Sequence, residues 1–291
     1  AVFNAPFSNT RSVVELAISL IILLMRNLVD KIHLMHEGKW NKSAENSFEI
    51  RGKKLGIIGY GNIGSQLSVL AESMGFEVYY FDNVEKLALG NAKKCDSLNE
   101  LLSTTDVVTL HVDGRPENEN LIGELQFKLM KQDAIFVNLS RGHVVDIEAL
   151  RKNLESKKLL GAAVDVFPHE PIDNNEDFIS PLRGLPNTIL TPHIGGSTKE
   201  AQLNIAEFVP GKIMEYINTG STYNSVNFPN LQLPILQNAH RLIHVHHNVP
   251  GMMAKITNLL AEHGVNIMGQ YLKTNENIGY VITDIDKAYD K

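Results

Sequence analysis

The chain has 291 residues, 43% of them hydrophobic, which is enough apolar material for one large core and a second, smaller one. Acidic residues outnumber basic ones by 33 to 27, and this modest surplus argues against a general nucleic-acid binder. The lone cysteine, Cys95, cannot form a disulfide within the chain, which fits a reducing, cytoplasmic location.

The most apolar stretch, residues 12–25, predicts one long helix that runs on to Leu28, with Ser8 or Asn9 as its N-cap. The stretch contains Glu15 and is shorter than the roughly 20 apolar residues that a membrane span needs. Because it is apolar around most of its circumference, it should pack on two partners. A core position in its own chain and a dimerisation helix in a homo-oligomer (dimer or tetramer) both fit this pattern.

From residue 54 the sequence alternates between strands and helices, which predicts an α/β fold with a parallel sheet wound on both faces. The predicted strands are residues 54–58, 76–81, 106–112, 134–139, 160–164 and 188–191. The predicted helices are residues 62–74, 147–156 and 198–218.

Residues 219–237 are rich in Gly, Ser, Asn and Pro and lack a helical period, which is typical of a linker. After them, the pattern predicts strands at residues 241–245, 266–273 and 278–285, with a helix at residues 252–263. The last part of the chain is therefore predicted to be a second, smaller α+β domain.

A glycine motif, Gly59-Tyr60-Gly61-Asn62-Ile63-Gly64, directly follows the first strand of the predicted sheet and opens the next helix. In a doubly wound (Rossmann) sheet, the first glycine permits a tight turn and the second leaves room for a pyrophosphate. The third glycine lets helix and sheet approach closely, and the helix N-terminus attracts the phosphates. The motif predicts dinucleotide binding, with Gly59, Gly61, Asn62, Ile63 and Gly64 as contacts.

The second predicted strand ends in Asp82, eighteen positions after Gly64 (82 minus 64). A carboxylate there can accept hydrogen bonds from ribose hydroxyls and would repel a 2′-phosphate. Asn83 follows instead of a basic residue, so NAD is predicted rather than NADP. The alternative, a glycine-rich turn in an unrelated α/β protein, does not account for the acid at this place.

Three further residues follow predicted strands: Arg141 the fourth, Glu170 the fifth and His193 the sixth. Ligands bind at the carboxyl ends of parallel strands, so the three can face one crevice. A guanidinium holds a carboxylate by two parallel bonds, an imidazole takes a hydroxyl proton near neutral pH, and a neighbouring carboxylate orients the imidazole. Taken alone, Arg141 could belong to a surface ion pair, and Glu170 with His193 could form a purely structural pair. Together the three residues predict the oxidation of a 2-hydroxy acid.

These motifs, from Asn4-Ala5-Pro6 through Ser197, resemble the D-isomer-specific 2-hydroxyacid dehydrogenase family. The resemblance implies that Arg141 binds the substrate carboxylate and keto oxygen, that His193 is the acid/base, and that Glu170 pairs with His193. It further implies NAD as the hydride acceptor.

The resemblance also places His111 at the cofactor and Asp165 near the nicotinamide. The chain departs from the family in the loop after the third strand. Asp113 stands where the family commonly has Pro, and Asn118 stands where it has Thr. The departure affects a loop near the cofactor and leaves the catalytic trio intact.

Residues 244–251 and 264–267 resemble an ACT domain, a small module that binds amino acids. Together with residues 2–10, this module is most similar to the branch of the family that oxidises 3-phosphoglycerate and is inhibited by serine. The resemblance implies that His246, Asn248 and Asn266 contact serine at an interface between two modules. The two asparagines could instead be turn residues.

His244 and His246 share a strand face where a metal is conceivable, but the spacing supplies no third ligand, so no metal is predicted.

The predicted organisation is an NAD-binding domain at residues 1–218, a linker at 219–237 and an ACT-like regulatory domain at 238–291. A substrate-binding half-domain is expected before residue 1, and further ACT elements after the last residue. We expect this stretch alone to bind NAD yet to be a poor catalyst. Two other functions are considered: a dehydrogenase for lactate, glycerate or glyoxylate, which the tail module disfavours, and a non-catalytic NAD-sensing interaction protein, which the catalytic trio disfavours.

Overall fold

The structure is a computed structural model that describes residues 1–286. They form two compact units, one of residues 9–201 and one that joins residues 1–8 to the chain from residue 202 onward. The helices are α1 (Thr10–Met25), α2 (Leu28–His36), α3 (Asn62–Ser73), α4 (Leu98–Thr104), α5 (Glu124–Leu129), α6 (Ile147–Glu155), α7 (Lys199–Thr219) and α8 (Met252–Glu262). The strands are β1 (Lys54–Ile58), β2 (Glu77–Phe81), β3 (Lys93–Lys94), β4 (Val107–Leu110), β5 (Ala134–Asn138), β6 (Leu159–Val164), β7 (Thr188–Leu190), β8 (His240–His247), β9 (Ile267–Thr274) and β10 (Ile278–Ile285).

The larger unit is built on a parallel seven-stranded sheet in the order β3-β2-β1-β4-β5-β6-β7. The predicted α/β fold is therefore confirmed, since all the strand pairs in this sheet are parallel. The chain runs outward from β1 in one direction through β2 and β3, and in the other from β4 to β7. Such a reversal opens a crevice at the carboxyl ends of the two central strands, β1 and β4.

Helices cover both faces of this sheet, and the strands are apolar on both sides as a result. Along β5, Ile135 and Val137 join the core under α1 and α3, whereas Phe136 joins the core on the opposite face, with residues of α4, α5 and α6. Each fully buried side chain of this size contributes about 1.5–3 kcal/mol. The two cores fix the strand ends that carry the polar motifs.

The first helix begins after Asn9, one of the two predicted N-cap residues, but it ends earlier than predicted. It ends at Met25, because Asn27 adopts a left-handed conformation (φ 48°), and α2 then leaves at an angle of 71°. Asn9 occupies the N-cap position, but its side chain makes no capping hydrogen bond. Helix α1 packs against α3, β5 and β6 of its own unit. This is the core position that the sequence allowed as one of two arrangements, the other being a dimerisation helix. Among the helices of residues 1–286, none has by itself the length and apolar composition of a membrane span; α1 and α2 reach them only when taken together, with a bend of 71° between them.

The smaller unit contains an antiparallel sheet in the order β8-β10-β9, with α8 between β8 and β9 in the chain. Its four elements match the predicted ones closely. Arg241 on β8 and Asp284 on β10 form a two-pronged ion pair (2.7 and 2.8 Å), and the hydrogen bond to Asp284 raises the pKa of Arg241. Because β10 is antiparallel to both neighbours, β8 and β9 run in the same direction.

Residues 220–237 contain no helix or strand, but they pack against this small sheet. The hydroxyl of Tyr280 donates to the carbonyl oxygen of Gly220 (2.6 Å), and Leu231 is buried with Tyr280 and Ile282. The N-terminal residues belong to the same unit, since Phe3 forms a β-bridge with Ser225. The segment predicted as a linker therefore contributes to the core of the smaller unit.

Candidate functional site

The glycine motif forms the turn between β1 and α3, where Gly59 and Gly64 allow close backbone approaches and Gly61 leaves open space. Gly59 has φ 91°, and a Cβ on it would lie 2.7 Å from the carbonyl of His111. A Cβ on Gly64 would lie 2.2 Å from the carbonyl oxygen of Gly59. A Cβ on Gly61 would meet nothing within 4 Å, so its backbone faces open space at the N-terminus of α3. An open cradle at a helix N-terminus fits a dinucleotide pyrophosphate, with Asn62 and Ile63 in the first turn.

Asp82 lies directly after β2, and its carboxylate is fixed beside the glycine turn. Oδ2 accepts the backbone N–H of Tyr60 (2.8 Å), and Oδ1 accepts that of Val84 (2.9 Å). A carboxylate oxygen has two lone pairs, so both atoms keep acceptor capacity for ribose hydroxyls. The geometry agrees with the preference for NAD predicted from this residue.

His111 lies directly after β4, beneath the glycine turn. Its Nε2 is 3.0 Å from Thr109 Oγ1, and its Nδ1 is buried without a hydrogen-bond partner among the described residues. Burial lowers the pKa of His111 to about 3, so its imidazole is neutral at physiological pH. His111 therefore carries no positive charge beneath the glycine turn, and its role at the cofactor stays a prediction.

Glu170 and His193 come from the loops after β6 and β7, and their side chains meet. His193 Nδ1 lies 2.7 Å from Glu170 Oε2, while Glu170 Oε1 accepts the backbone N–H of Phe167 (2.9 Å). Burial acts to raise the pKa of the Glu170 carboxyl, but the hydrogen bonds from His193 and Phe167 and the charges of His193 and Arg141 outweigh it, so the pKa is lowered. The carboxylate is thus ionised at neutral pH and engages Nδ1, which leaves Nε2 of His193 for proton transfer.

The loop that carries His193 is held by Asp165, which follows β6. The buried carboxylate of Asp165 accepts the hydroxyl of Thr191 (2.6 Å) and the backbone N–H groups of Ile194 (2.9 Å) and Gly195 (2.8 Å). His193 itself has φ 55°, a left-handed conformation that costs on the order of 1 kcal/mol or more for a residue with a side chain. The bonds to Asp165 on both sides of His193 fix this conformation, a role that the sequence did not reveal.

Arg141 comes from the loop after β5, and Gly142 brings that loop against the one that carries Glu170. A Cβ on Gly142 would lie 1.9 Å from the carbonyl carbon of Phe167, so the two backbones touch. Arg141 Nη1 donates to the carbonyl oxygen of Ser140 (2.6 Å), and the guanidinium is exposed. The contact at Gly142 brings the loop of Arg141 against the loop that leads to Glu170, and the positive charge of Arg141 is one of the groups that lower the pKa of the Glu170 carboxyl.

A cavity of about 560 Å³ opens beside this pair. Glu170, His193, Phe167 and Arg183 are among its lining residues, and Arg141 is not. The cavity therefore adjoins the pair, whereas Arg141 lies on the neighbouring loop outside its lining.

The predicted effector residues in the smaller unit do not come together within one chain. His246 and Asn248 lie at the carboxyl end of β8, whereas Asn266 directly precedes β9. Because β8 and β9 run in the same direction, Asn266 lies at the opposite end of the sheet. Asn248 Nδ2 donates to the carbonyl oxygen of Asn275 (2.9 Å), and Asn266 Nδ2 donates to Asp286 Oδ2 (2.8 Å).

Two of the four histidines of β8, His244 and His246, stack with ring centroids 5.6 Å apart. His246 Nδ1 is 2.7 Å from the carbonyl oxygen of His247, and its Nε2 is buried without a hydrogen-bond partner in the described part of the chain. Across residues 1–286, no group of three or more His, Cys, Asp or Glu side chains is arranged to hold a metal ion.

Comparison with known proteins gives two family matches. The NAD-binding domain of D-isomer specific 2-hydroxyacid dehydrogenases matches residues 18–195, and the ACT domain of the AHAS small-subunit type matches residues 242–291. D-3-phosphoglycerate dehydrogenase of Haemophilus influenzae is 55% identical over 98% of this chain and 70% of that protein. The enzyme of the same name from Dictyostelium discoideum is 49% identical over 100% of this chain and 71% of that protein.

Two solved structures are similar to the chain over most of its length. A D-2-hydroxyisocaproate dehydrogenase has 28% identity and a TM-score of 0.71, covering 76% of this chain and 70% of that one. The NAD-dependent formate dehydrogenase of Staphylococcus aureus, solved with NAD, has 30% identity and a TM-score of 0.68, covering 75% of this chain and 65% of that one. The glycine cradle, the acid after β2 and these matches agree on NAD as the cofactor. The chain belongs to the family of D-isomer specific 2-hydroxyacid dehydrogenases.

Proposed function

We propose that the protein oxidises 3-phosphoglycerate to 3-phosphohydroxypyruvate with NAD, the first step of phosphorylated serine synthesis. The observation that carries the proposal is the Glu170–His193 contact of 2.7 Å, with Arg141 on the adjoining loop, at the carboxyl ends of β5, β6 and β7 in the sheet whose β1 leads into the dinucleotide cradle. The choice of substrate is supported by relatives named D-3-phosphoglycerate dehydrogenase, two of which are 55% and 52% identical to the chain.

In this reaction Arg141 binds the substrate carboxylate, because a guanidinium matches its two oxygens with two parallel N–H donors. Glu170 holds the imidazole of His193 through Nδ1, so that Nε2 accepts the proton of the C2 hydroxyl. NAD, when bound, supplies the acceptor for the C2 hydride. Asp165 contributes by fixing the backbone on both sides of His193, which orients the imidazole before substrate arrives.

The proposal is tested by assaying the full-length chain with NAD and a set of hydroxy acids. We expect kcat/KM for 3-phosphoglycerate to exceed that for lactate or glycerate by at least about 100-fold, because groups positioned for the phosphate would stay unpaired with the smaller acids. Equal rates with lactate or glycerate would favour the related dehydrogenases. Tight NAD binding with no turnover of any hydroxy acid would favour the non-catalytic sensing protein.

We also propose that serine inhibits the enzyme by binding His246, Asn248 and Asn266 between the smaller units of two copies. The proposal is supported by the match to an ACT domain and by the placement of the two asparagines at opposite ends of the sheet. The eight residues of β8 span roughly 26 Å at about 3.3 Å per residue, so one serine molecule cannot reach both asparagines of the same chain. A homo-oligomer follows from this arrangement.

A complementation experiment tests the shared site. Asn248→Ala and Asn266→Ala should each abolish serine inhibition when made alone. In a mixed dimer of the two variants, one serine site carries both substitutions and the other carries neither. Mixed dimers isolated after co-expression should therefore bind serine at about half of the unaltered stoichiometry, measured by calorimetry. If mixed dimers bind no serine, the site does not lie between two chains.

The two proposals assign a separate function to each of the two units. Residues 9–201 bind NAD and carry the catalytic trio, and the unit that contains β8, β9 and β10 is regulatory. Helix α7, which the sequence assigns to the NAD-binding domain, continues past the boundary between the two units at residues 201 and 202. A cytoplasmic location stays a prediction from the cysteine content.

A further inference from the structure

The loop after β4 is organised around the side chain of Asp113, one of the two positions that depart from the family motif. Its carboxylate accepts Arg115 Nε (2.8 Å) and Nη2 (2.5 Å), and Asn118 Nδ2 donates both to Asp113 Oδ1 and to the Asp113 carbonyl oxygen (3.0 Å each). The hydrogen bonds from Arg115 hold the pKa of Asp113 below its usual range. At neutral pH the loop therefore carries an ionised carboxylate that is bound on two sides.

The backbone that follows Asp113 packs against the side chain of Arg141. A Cβ on Gly114 would lie 3.1 Å from Arg141 Cγ and 3.4 Å from His143 Cε1, so the backbone that follows Asp113 rests on the stem of Arg141. The positive charge of Arg141 is also among the groups that lower the pKa of Asp113. Asp113 is thus a negatively charged side chain of the protein that interacts electrostatically with Arg141, whose guanidinium is proposed to bind the substrate carboxylate.

A carboxylate tethered beside an arginine competes with any free carboxylate for the same donors. Tethering by a short loop gives such a competitor an effective concentration in the millimolar range or above. A two-pronged bond to another guanidinium weakens this competition, because it uses one acceptor position on each carboxylate oxygen, fixes the direction of the carboxylate and offsets part of its charge. Arg115 makes a bond of this kind to Asp113.

We propose that Arg115 is a specificity-determining residue: it holds the Asp113 carboxylate away from Arg141 and thereby keeps Arg141 available to the substrate carboxylate. The inference rests on the proposed function, since it takes Arg141 as the carboxylate anchor. It adds that an ion pair outside the catalytic trio sets the affinity for anionic substrates. The competing explanation is that the Asp113–Arg115–Asn118 cluster only stiffens the loop.

The two explanations differ in what happens when charge alone is altered. The full-length protein, saturated with NADH, is titrated by calorimetry with oxalate, a probe that needs a carboxylate anchor but no phosphate site, and with 3-phosphoglycerate. Arg115→Gln should raise the Kd of both anions about three- to tenfold at low salt, the scale of one partly exposed charge. The difference should disappear in about 1 M salt, where the Debye length is about 3 Å.

The double variant Asp113→Asn/Arg115→Gln should bind both anions as the unaltered protein does, because the competing charge is gone. Arg151→Gln is the matched control, since Arg151 forms ion pairs with Glu148 and Glu155 on α6, and it should change neither Kd. Binding that is unchanged in Arg115→Gln, or weakened equally in the double variant, would overturn the inference, and so would a failure of the unaltered protein to bind oxalate. Binding of oxalate but not of 3-phosphoglycerate would contradict only the proposed substrate.

Discussion

His193→Ala should lower kcat for 3-phosphoglycerate oxidation about 10²- to 10⁴-fold, the usual contribution of a general base, while NAD binding persists. The imidazole is the group whose Nδ1 is held by Glu170 at 2.7 Å, so Nε2 is the atom placed to take the hydroxyl proton. Its side chain is half exposed, and its removal leaves no cavity in either core of the sheet. Stopped-flow measurement of NADH formation gives kcat, and fluorescence titration with NADH gives the cofactor affinity.

His33→Ala serves as the control, because His33 is also exposed and paired with a glutamate, Glu37, but lies on α2. This variant should keep the turnover of the unaltered protein. If His193→Ala retained full turnover, the proton carrier would have to be another residue, and the role proposed for the Glu170–His193 pair would be wrong.

Gly142→Ala should reduce kcat/KM about 100-fold and lower the free energy of unfolding by about 1–3 kcal/mol. The added Cβ would lie 1.9 Å from the carbonyl carbon of Phe167, so the two loops must separate by more than 1 Å. Phe167 donates its N–H to Glu170, and Arg141 precedes Gly142 in the chain, so the separation moves two members of the catalytic trio apart. A displacement of about 1 Å at reacting groups is enough to cost about 100-fold in rate.

Urea unfolding and steady-state kinetics measure the two effects of this substitution. Gly211→Ala on α7 is the control, since its Cβ would meet nothing within 4 Å, and alanine is the better helix former there by about 0.5–1 kcal/mol. That variant should be as active as the unaltered protein and equally or more stable. A Gly142→Ala protein with unchanged kinetics would show that the contact between the loops does not position the site.

The sequence predicted well those helices and strands in which an apolar pattern is sustained over several residues. Strand β1 and β10 were predicted without error at either end, and the other predicted strands differ by at most two residues at each end. The short elements β3, α4 and α5 were missed, because two to seven residues are too few to display a period. A signal for α4 was present: Ser97 caps the helix by accepting the N–H of Glu100, the spacing of a capping box.

The sequence by itself determined the α/β order, the glycine cradle with Asp82, and the residue types of the catalytic trio. These features depend on residues close together in the chain, where spacing alone fixes which side chains share a turn or a strand end.

The resemblance implied that Glu170 pairs with His193, and the structure has the two side chains in contact at 2.7 Å. Only the tertiary structure decided that Asp165 fixes the histidine loop and that Asp113 is paired with Arg115. It also decided that Asn248 and Asn266 lie at opposite ends of one small sheet. The reason is that contacts between separate loops depend on strand order and on how closely backbones approach, as at Gly142, and a single sequence does not record either quantity.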